Sequence, residues 1–403
     1  MWRARAVSGV DVAGVEENTD PVVTSRGHRM RLFQLGMIAL TTLSLAACAD
    51  LLQEPLGDVD TDEGTDVDDE ADLAEAVLAD DVLVDDDGTP ALLGPPYPIV
   101  LVHGFSGWMD VAGVEYFYGV PEDLRAAGAD VTAPNLPPYD SSGERALVLA
   151  RVVDNVLART HKKKVHLIAH SQGGIDSRTL ITDLGYASRV ASVHTISTPH
   201  RGTAVADVAA IGDGTVLNPA GELIGWLLGE LEGSPNPSAD WYDDEYLENG
   251  YAPDMEAAID NLRPSTMARF NDSHPDPAGV PIFSIARVSN LLSIDQPECD
   301  GGLWDFDDRV DIVDPFFAAT GLYLSNSDGG WVFDPTPNDG LVTVASSRWG
   351  TFLGCFAADH IDEIGQVVDV TAGLVSGFDH RRLYLQLLQN ARVVETIELA
   401  NGG

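Results

Sequence analysis

A serine that follows a histidine and precedes a glutamine and two glycines is the residue with the clearest capacity for chemistry. The segment Val165–Gly174 reads VHLIAHSQGG, so an apolar run ends at Ser171. This pattern predicts a buried strand, a sharp turn at the serine and the start of a helix. The turn needs small flanking residues, here Ala169 and Gly173, and it exposes the serine oxygen as a nucleophile. The alternative is a serine in an ordinary strand-to-helix turn.

The backbone after this serine could stabilise a developing negative charge. N–H groups at a helix N-terminus carry partial positive charge, so the amide of Gln172 would point toward an oxyanion formed at Ser171. This segment therefore supplies a nucleophile and half of an oxyanion hole.

A nucleophilic serine needs a base to accept its proton, and the base needs an acid that orients it. On a strand–turn–helix scaffold the acid and then the histidine follow the serine along the chain. His194 lies in a predicted strand and His200 comes too early to follow an acid, whereas His360 lies where an irregular stretch meets a predicted helix. We choose Asp339 as the acid. The alternative for Asp339-Gly340 is a plain turn.

Alternating strand and helix patterns would position these residues. Strands are predicted at Ile99–Val102, Val131–Ala133, 165–170, Val190–Ile196 and Pro281–Ala286, and helices at Tyr116–Ala127, Arg145–Thr160 and from Gly174. Such alternation predicts an α/β fold with a mostly parallel, doubly wound sheet. We expect one domain over residues 95–403.

An apolar stripe interrupts this alternation between about residues 203 and 262. Its members share a short helical segment: Leu223, Ile224, Trp226, Leu227, Leu228 and Leu231. A stripe of this kind usually packs in a core, but an insertion after this strand can also be a mobile lid over the site. We predict a lid.

The first 94 residues differ from the rest in composition. The segment Met30–Cys48 has a basic start and an apolar run shorter than the roughly 20 residues that span a bilayer, which is typical of a signal peptide. Its end, Leu45–Cys48, resembles a bacterial lipobox, which implies lipidation of Cys48. We therefore expect residues 1–47 to be a signal region and the protein to be exported and lipid-anchored in the cell envelope, at the outer membrane.

Net charge limits the partners. The chain has 64 acidic and 23 basic residues and a formal charge of -41. This charge argues against binding to nucleic acid and against adhesion to anionic lipid surfaces by charge. Residues 48–94 are rich in Asp and Glu, and we expect an extended acidic tether there. Metal binding by these carboxylates is the alternative.

Five segments, taken in order, resemble a bacterial true lipase of the calcium-dependent triacylglycerol lipase family. They are Leu101–Phe105, Ala169–Gly174, Thr198–Thr203, Asn338–Val342 and His360–Gln366. The resemblance implies the α/β-hydrolase fold and a triad of Ser171, Asp339 and His360. It also implies that the backbone amides of Phe105 and Gln172 form the oxyanion hole.

A structural calcium ion is a further implication of this resemblance. The implied ligands are Asp314, Asp362, the side chain of Gln366 and the carbonyl of Val370. Asp362 and Gln366 are four residues apart, on one face of a predicted helix beside His360, and oxygen ligands suit calcium. The ion would hold the histidine loop without touching substrate. Asp311 and Asp328 lie near Asp314 in sequence, and a capping aspartate with a surface glutamine is the alternative.

The cysteines depart from the family pattern. A subgroup of the family would place a disulfide cysteine near Ala345, where this sequence has none. Once Cys48 is assigned to lipid, Cys299 and Cys355 remain, and an exported protein can pair them. The bridge would contribute about 4 kcal/mol by chain entropy. Two buried free thiols are the alternative. Some family members need a dedicated folding chaperone, which is an implied partner.

Together these features predict a lipid-anchored serine hydrolase that cleaves long-chain acylglycerols at an interface through an acyl-enzyme. The second interpretation is a carboxylesterase or polyhydroxyalkanoate depolymerase on the same scaffold, because the triad does not choose the acyl group. A different class of protein, a surface-binding lipoprotein that has lost turnover, is the third. The intact Ser171, Asp339 and His360 argue against it.

Overall fold

The computed structural model describes residues 97–107, 110–111, 114–211, 254–289, 297–304, 311, 313–314, 317–327, 335–366 and 378–400. The predicted signal region, Cys48, the tether and the apolar stripe at 223–231 lie outside these residues, so they stay predictions. Within the range of the predicted lid, the structure describes two short helices, α4 at Ala204–Ile211 and α5 at Met255–Asn261.

The core of the domain is a six-stranded sheet. Its strands are β1 (Ile99–Val102), β4 (Val131–Thr132), β5 (Val165–His170), β6 (Val190–Ile196), β7 (Ile282–Val288) and β8 (Thr351–Ala357). They lie in the order β4-β1-β5-β6-β7-β8, and every neighbouring pair is parallel. A small antiparallel pair, β2 (Asp110–Val111) and β3 (Val114–Glu115), lies outside this sheet. The predicted parallel sheet is confirmed.

Helices cover both faces of the sheet. The others are α1 (Val120–Ala126), α2 (Ser142–Thr160), α3 (Gln172–Thr182), α6 (Pro264–Ser273), α7 (Ala318–Ser325), α8 (Val344–Ser347) and α9 (His380–Ala400). Within the described ranges, none of the helices has the length and apolar character that crossing a bilayer requires.

Alternation along β1 separates two hydrophobic layers. Ile99 and Leu101 belong to a buried cluster that also contains residues of α1 and α9. Val100 and Val102 belong to a second cluster with residues of α2 and α3. Since successive strand side chains point to opposite faces, the buried run of β1 is the pattern expected of a strand covered on both sides.

One predicted helix begins later than its pattern indicates. Tyr116 and Phe117 are buried but precede α1, which starts at Val120 after Gly119 at a φ of 69°. Pro121 in the first turn suits a helix start, because its fixed φ is helical and its missing N–H is not needed there. Tyr116 is thereby left in a loop at the carboxyl end of the sheet.

Candidate active site

Ser171 lies on a strained turn between β5 and α3. Its φ is 55° and its ψ is -129°, and its N–H donates to the carbonyl of Ile196 at 2.9 Å. A Cβ added to Gly173 would lie 2.4 Å from the carbonyl oxygen of Val102, so only glycine permits this close approach of helix and strand. The packing of the turn thus holds a serine in a backbone conformation that L residues rarely adopt, at the carboxyl end of the sheet.

Loop 198–203 is hydrogen-bonded both to the Ser171 turn and to the loop that follows Asp339. The Thr198 hydroxyl donates to the carbonyl of Ser171 at 2.8 Å. The Thr203 hydroxyl donates to the carbonyl of Leu341 at 2.6 Å. Although Ser171 and Leu341 are far apart in sequence, one short loop fixes the backbone at both.

Arg145 holds the loop after β1, although no motif in the sequence marked it as a functional residue. Its side chain is fully buried, its Nε donates to Asp176 at 2.7 Å, and its Nη2 donates to the carbonyls of His103 at 2.6 Å and Gly104 at 3.4 Å. A carbonyl and the following N–H point in opposite directions across a trans peptide. Because Arg145 attracts the Gly104 carbonyl, the N–H of Phe105 is directed away from Arg145.

His103 supports the same loop. Its Nδ1 donates to the Gly104 carbonyl at 2.9 Å, and its Nε2 accepts from the N–H of Leu136 at 2.9 Å. Burial and, after it, the nearby Arg145 charge lower the pKa of His103 to about 3, so the ring is neutral. A neutral ring has one donor and one acceptor nitrogen, which are the two roles that these contacts require.

Gln172 provides the second amide of the predicted oxyanion hole. It is the first residue of α3, where backbone N–H groups have no acceptor within the helix. Its side chain donates to the carbonyl of Asp140 at 3.0 Å. Gly104 packs against Ser171, since a Cβ at Gly104 would lie 2.7 Å from Ser171 Cβ. Both predicted amides therefore belong to segments that meet at Ser171.

His360 and Asp339 form a buried pair. Nδ1 of His360 donates to Oδ2 of Asp339 at 2.8 Å, and Oδ1 of Asp339 accepts from the backbone N–H groups of Leu341 and Val342 at 2.9 and 2.7 Å. The N–H of His360 also donates to the Asp339 carbonyl at 3.0 Å. The predicted Asp-Gly turn exists, and it orients the carboxylate toward the histidine.

The pKa values of both partners are shifted in the direction that favours an ion pair. Burial raises the pKa of Asp339, but the His360 charge and three hydrogen bonds outweigh it, so the pKa of Asp339 lies below its ordinary value. Burial lowers the pKa of His360, but the Asp339 charge and hydrogen bond, with Glu363 and Asp359, outweigh it and raise that pKa. The site therefore favours an imidazolium beside a carboxylate, as a general base requires after it accepts a proton.

The pair lies beside the residue that precedes Ser171. The ring centroids of His360 and His170 are 4.6 Å apart, and His170 directly precedes Ser171 in the chain. Ser171 and His360 are 9% and 5% exposed, so a substrate that reaches them leaves bulk water. The His360–Asp339 pair thus packs against the residue that directly precedes Ser171, and the triad of Ser171, Asp339 and His360 stays a prediction.

The predicted calcium ligands are only partly brought together. Residues 362–364 form a 3₁₀ turn that ends at Gly365 with a φ of 77°, so Asp362 and Gln366 do not share a helix face as predicted. The amide of Gln366 instead donates to the carbonyls of Glu115 and Tyr116 at 2.5 and 3.1 Å. Val370 and Asp328 lie outside the described residues.

A different group of carboxylates surrounds Asp362. Ligand oxygens of Asp311, Asp359 and Asp362 lie within 4.8 Å of one another, and all three residues are buried. Asp314 takes part through its backbone N–H, which donates to Asp359 at 3.1 Å. Burial and the neighbouring Asp362 charge raise the pKa of Asp359 well above its ordinary value. Three buried carboxylates repel one another unless a cation or protons compensate them, and oxygen donors fit calcium.

Cys299 and Cys355 are joined in a disulfide, with 5.5 Å between their Cα atoms. The bridge connects a 3₁₀ turn at Pro297–Cys299 to β8, and the chain between them contains Asp339. Of the two alternatives left open by the sequence, the structure has the paired one.

Comparisons with known proteins agree with this geometry. Residues 97–217 match a family model described as alpha/beta hydrolase fold. A triacylglycerol lipase of Vibrio cholerae is 32% identical over 68% of this chain and 81% of its own length. A triacylglycerol lipase of Burkholderia plantarii is 30% identical over 68% of this chain and 80% of its own length.

Among solved structures, a Staphylococcus hyicus lipase is similar in fold. Its TM-score is 0.51, with 18% identity over 75% of this chain and 97% of that one. At this identity the likeness concerns the fold alone, whereas the two curated relatives cover most of their own length at 30% identity or more. The chain therefore belongs to the bacterial triacylglycerol lipase family, with the α/β-hydrolase fold, and is an ester hydrolase.

Proposed function

We propose that this ester hydrolase is a triacylglycerol lipase that cleaves long-chain acylglycerols through an acyl-enzyme on Ser171. The observation that carries the proposal is the meeting of the strained Ser171 turn with the His360–Asp339 pair and the Gly104 loop. A serine, a base, an orienting acid and two amides are the parts that acyl transfer requires.

In the proposed reaction, Oγ of Ser171 attacks the ester carbonyl while His360 accepts the hydroxyl proton. The N–H groups of Phe105 and Gln172 stabilise the oxyanion of the tetrahedral intermediate. When it collapses, the carbon–oxygen bond to glycerol breaks and His360 gives the proton to the leaving alkoxide. Water then attacks the acyl-enzyme with His360 again as base, which releases the fatty acid and restores Ser171.

The substrate class rests on the curated relatives, both named triacylglycerol lipase. We expect the rate on emulsified long-chain triglyceride to exceed that on a soluble short-chain ester and on polyhydroxyalkanoate at matched ester concentration. A titrimetric assay of released acid measures all three. A preference for the short-chain ester would favour a carboxylesterase, and a preference for the polymer would favour a depolymerase. The lipid anchor at Cys48, the envelope location and the chaperone remain predictions.

We further propose that calcium binds Asp311, Asp359 and Asp362, which replaces the ligand set expected from the sequence. The ion would neutralise three buried carboxylates and hold the turn that follows His360. It would not contact the reacting ester, because none of these three aspartates belongs to the proposed triad or oxyanion hole. Its contribution is to the stability of the histidine loop.

Chelation is expected to lower the melting temperature and the activity together. An ion that binds only the folded chain stabilises it by RT ln(1 + [Ca]/Kd), about 2.7 kcal/mol at a hundredfold excess over Kd. Thermal unfolding with chelator and with added calcium measures this, and Asp311→Asn should abolish the response while the exposed Asp272→Asn keeps it. A wild-type melting curve unchanged by chelator and by millimolar calcium would remove the ion from this account.

A further inference from the structure

A buried chain of hydrogen bonds connects Gly104, in the loop after β1, with Glu363, three residues after His360, without passing through Ser171. The N–H of Gly104 lies 3.2 Å from the hydroxyl oxygen of Tyr116, and this hydroxyl lies 2.7 Å from Nδ1 of His170. Nε2 of His170 lies 3.1 Å from Oε1 of Glu363, and that oxygen is 3.7 Å from Nδ1 of His360. All five residues are buried.

The carboxylate end sets the direction of every bond in this chain. Glu363 accepts at Oε2 from Nε of Arg287 at 3.2 Å and from the hydroxyl of Ser197 at 3.1 Å, so it is the acceptor for His170 as well. His170 therefore carries its hydrogen on Nε2. Burial lowers the pKa of His170, and this outweighs the effect of Glu363, so the ring is neutral and its Nδ1 is an acceptor.

The remaining directions follow from that acceptor. The Tyr116 hydroxyl donates its hydrogen to Nδ1 of His170, which leaves the lone pairs of the hydroxyl oxygen for the N–H of Gly104. Each contact has one donor and one acceptor. Burial raises the pKa of Tyr116, so the hydroxyl keeps its hydrogen over the working pH range.

The backbone of Gly104 must be held in one conformation if the next N–H is to keep its direction. A Cβ at this position would lie 2.7 Å from Ser171 Cβ and 3.1 Å from the Tyr116 hydroxyl, so no larger residue fits. Glycine has the widest choice of backbone conformation, and the orientation of the next N–H, that of Phe105, depends on it. Arg145 holds the Gly104 carbonyl on one side, and Tyr116 holds the Gly104 N–H on the other.

We infer that Tyr116 is a positioning residue of the oxyanion hole, oriented by the His170–Glu363 pair. The inference rests on the proposed acyl-enzyme function, because it concerns the amide that would stabilise the oxyanion. Tyr116 touches neither substrate nor nucleophile in this role. It fixes the two peptide planes around Gly104 so that the Phe105 N–H meets the oxyanion without reorganisation.

The test compares Tyr116→Phe with Tyr118→Phe, a neighbouring tyrosine that is 55% exposed. Losing one oxyanion donor outright costs about 100- to 1,000-fold in kcat, so misplacing it should cost about 10- to 100-fold. We expect Tyr116→Phe to lower kcat by this factor on a soluble ester with KM changed less than about threefold. The rate at which a fluorophosphonate labels Ser171 should fall in parallel, and Tyr118→Phe should match the wild type.

A second variant tests the chain from its other end. His170→Gln removes the acceptor for Tyr116 and should also lower kcat. If the two residues act through one chain, the double variant should lose little more than the worse single variant. Additive losses would show separate roles. If Tyr116→Phe does not fold, His170→Gln alone decides the matter by the same labelling rate.

A folded Tyr116→Phe variant with wild-type kcat and labelling rate, or with only a lower melting temperature, would overturn the inference. Failure of the proposed function gives another result. In that case the fluorophosphonate would not label Ser171 even in the wild type, and no variant could be compared by this reagent.

Discussion

Replacing Ser171 with alanine is expected to lower kcat for ester hydrolysis by about 10⁶-fold, the order of magnitude found when a nucleophilic serine is removed from a Ser-His-Asp site. In the proposed reaction this hydroxyl forms the covalent bond to the acyl group, so its removal takes away the attacking atom. Initial rates on a soluble ester measure the loss. Ser273→Ala, at an exposed position in α6, is the matched control and should keep wild-type activity.

The same position gives a stability result that separates chemistry from folding. Ser171 has a φ of 55°, a conformation that costs a non-glycine residue on the order of 1–3 kcal/mol. Ser171→Gly should therefore be inactive yet unfold at a higher denaturant concentration than Ser171→Ala. Residual hydrolysis within about tenfold of the wild type in either variant would show that another residue is the nucleophile.

Asp339→Asn should have the second largest effect, about 10⁴-fold in kcat, because an amide can present its NH₂ to His360 and favour the wrong tautomer. A second carboxylate is near, so the comparison with Glu363→Gln is informative. The His360 Nδ1 lies 2.8 Å from Asp339 and 3.7 Å from Glu363. Rates on one soluble ester should fall at least ten times further for Asp339→Asn than for Glu363→Gln. The reverse order would identify Glu363 as the orienting acid.

Local pattern was sufficient for much of the sheet. The buried strands at Ile99–Val102 and Val190–Ile196 have the predicted bounds, and the serine segment has the predicted strand, turn and helix. In these segments the apolar run, the turn residues and the required backbone conformation agree. Hence the sequence alone located the turn at Ser171 and placed Gln172 at the start of α3.

The hydrophobic pattern did not predict the role of a charged residue that lies in the core. In α2 the apolar Leu147 is 43% exposed, whereas the buried stripe runs through Arg145, Leu149, Val153 and Val156. An arginine at the start of an apolar stripe was the available signal. Its importance depends on the loop carbonyls and on Asp176, and periodicity within one helix does not report those distant partners.

The metal cluster shows a similar limit. Spacing of four residues placed Asp362 and Gln366 on one helix face, but Gly365 ends a 3₁₀ turn between them. Asp311 and Asp359 approach Asp362 through tertiary packing. No periodic spacing in the sequence relates all three aspartates. Which of several neighbouring aspartates faces inward is decided by the folded loop.

The covalent intermediate on Ser171 is the claim on which the rest depends. Wild-type enzyme mixed with excess slowly deacylated ester, quenched in acid within the first turnover and analysed by mass spectrometry of its peptides measures it directly. We expect the acyl mass on the peptide that contains Ser171, and its disappearance from Ser171→Ala. Turnover of the ester with no acyl group on that peptide, or with the group on another residue, would contradict the account.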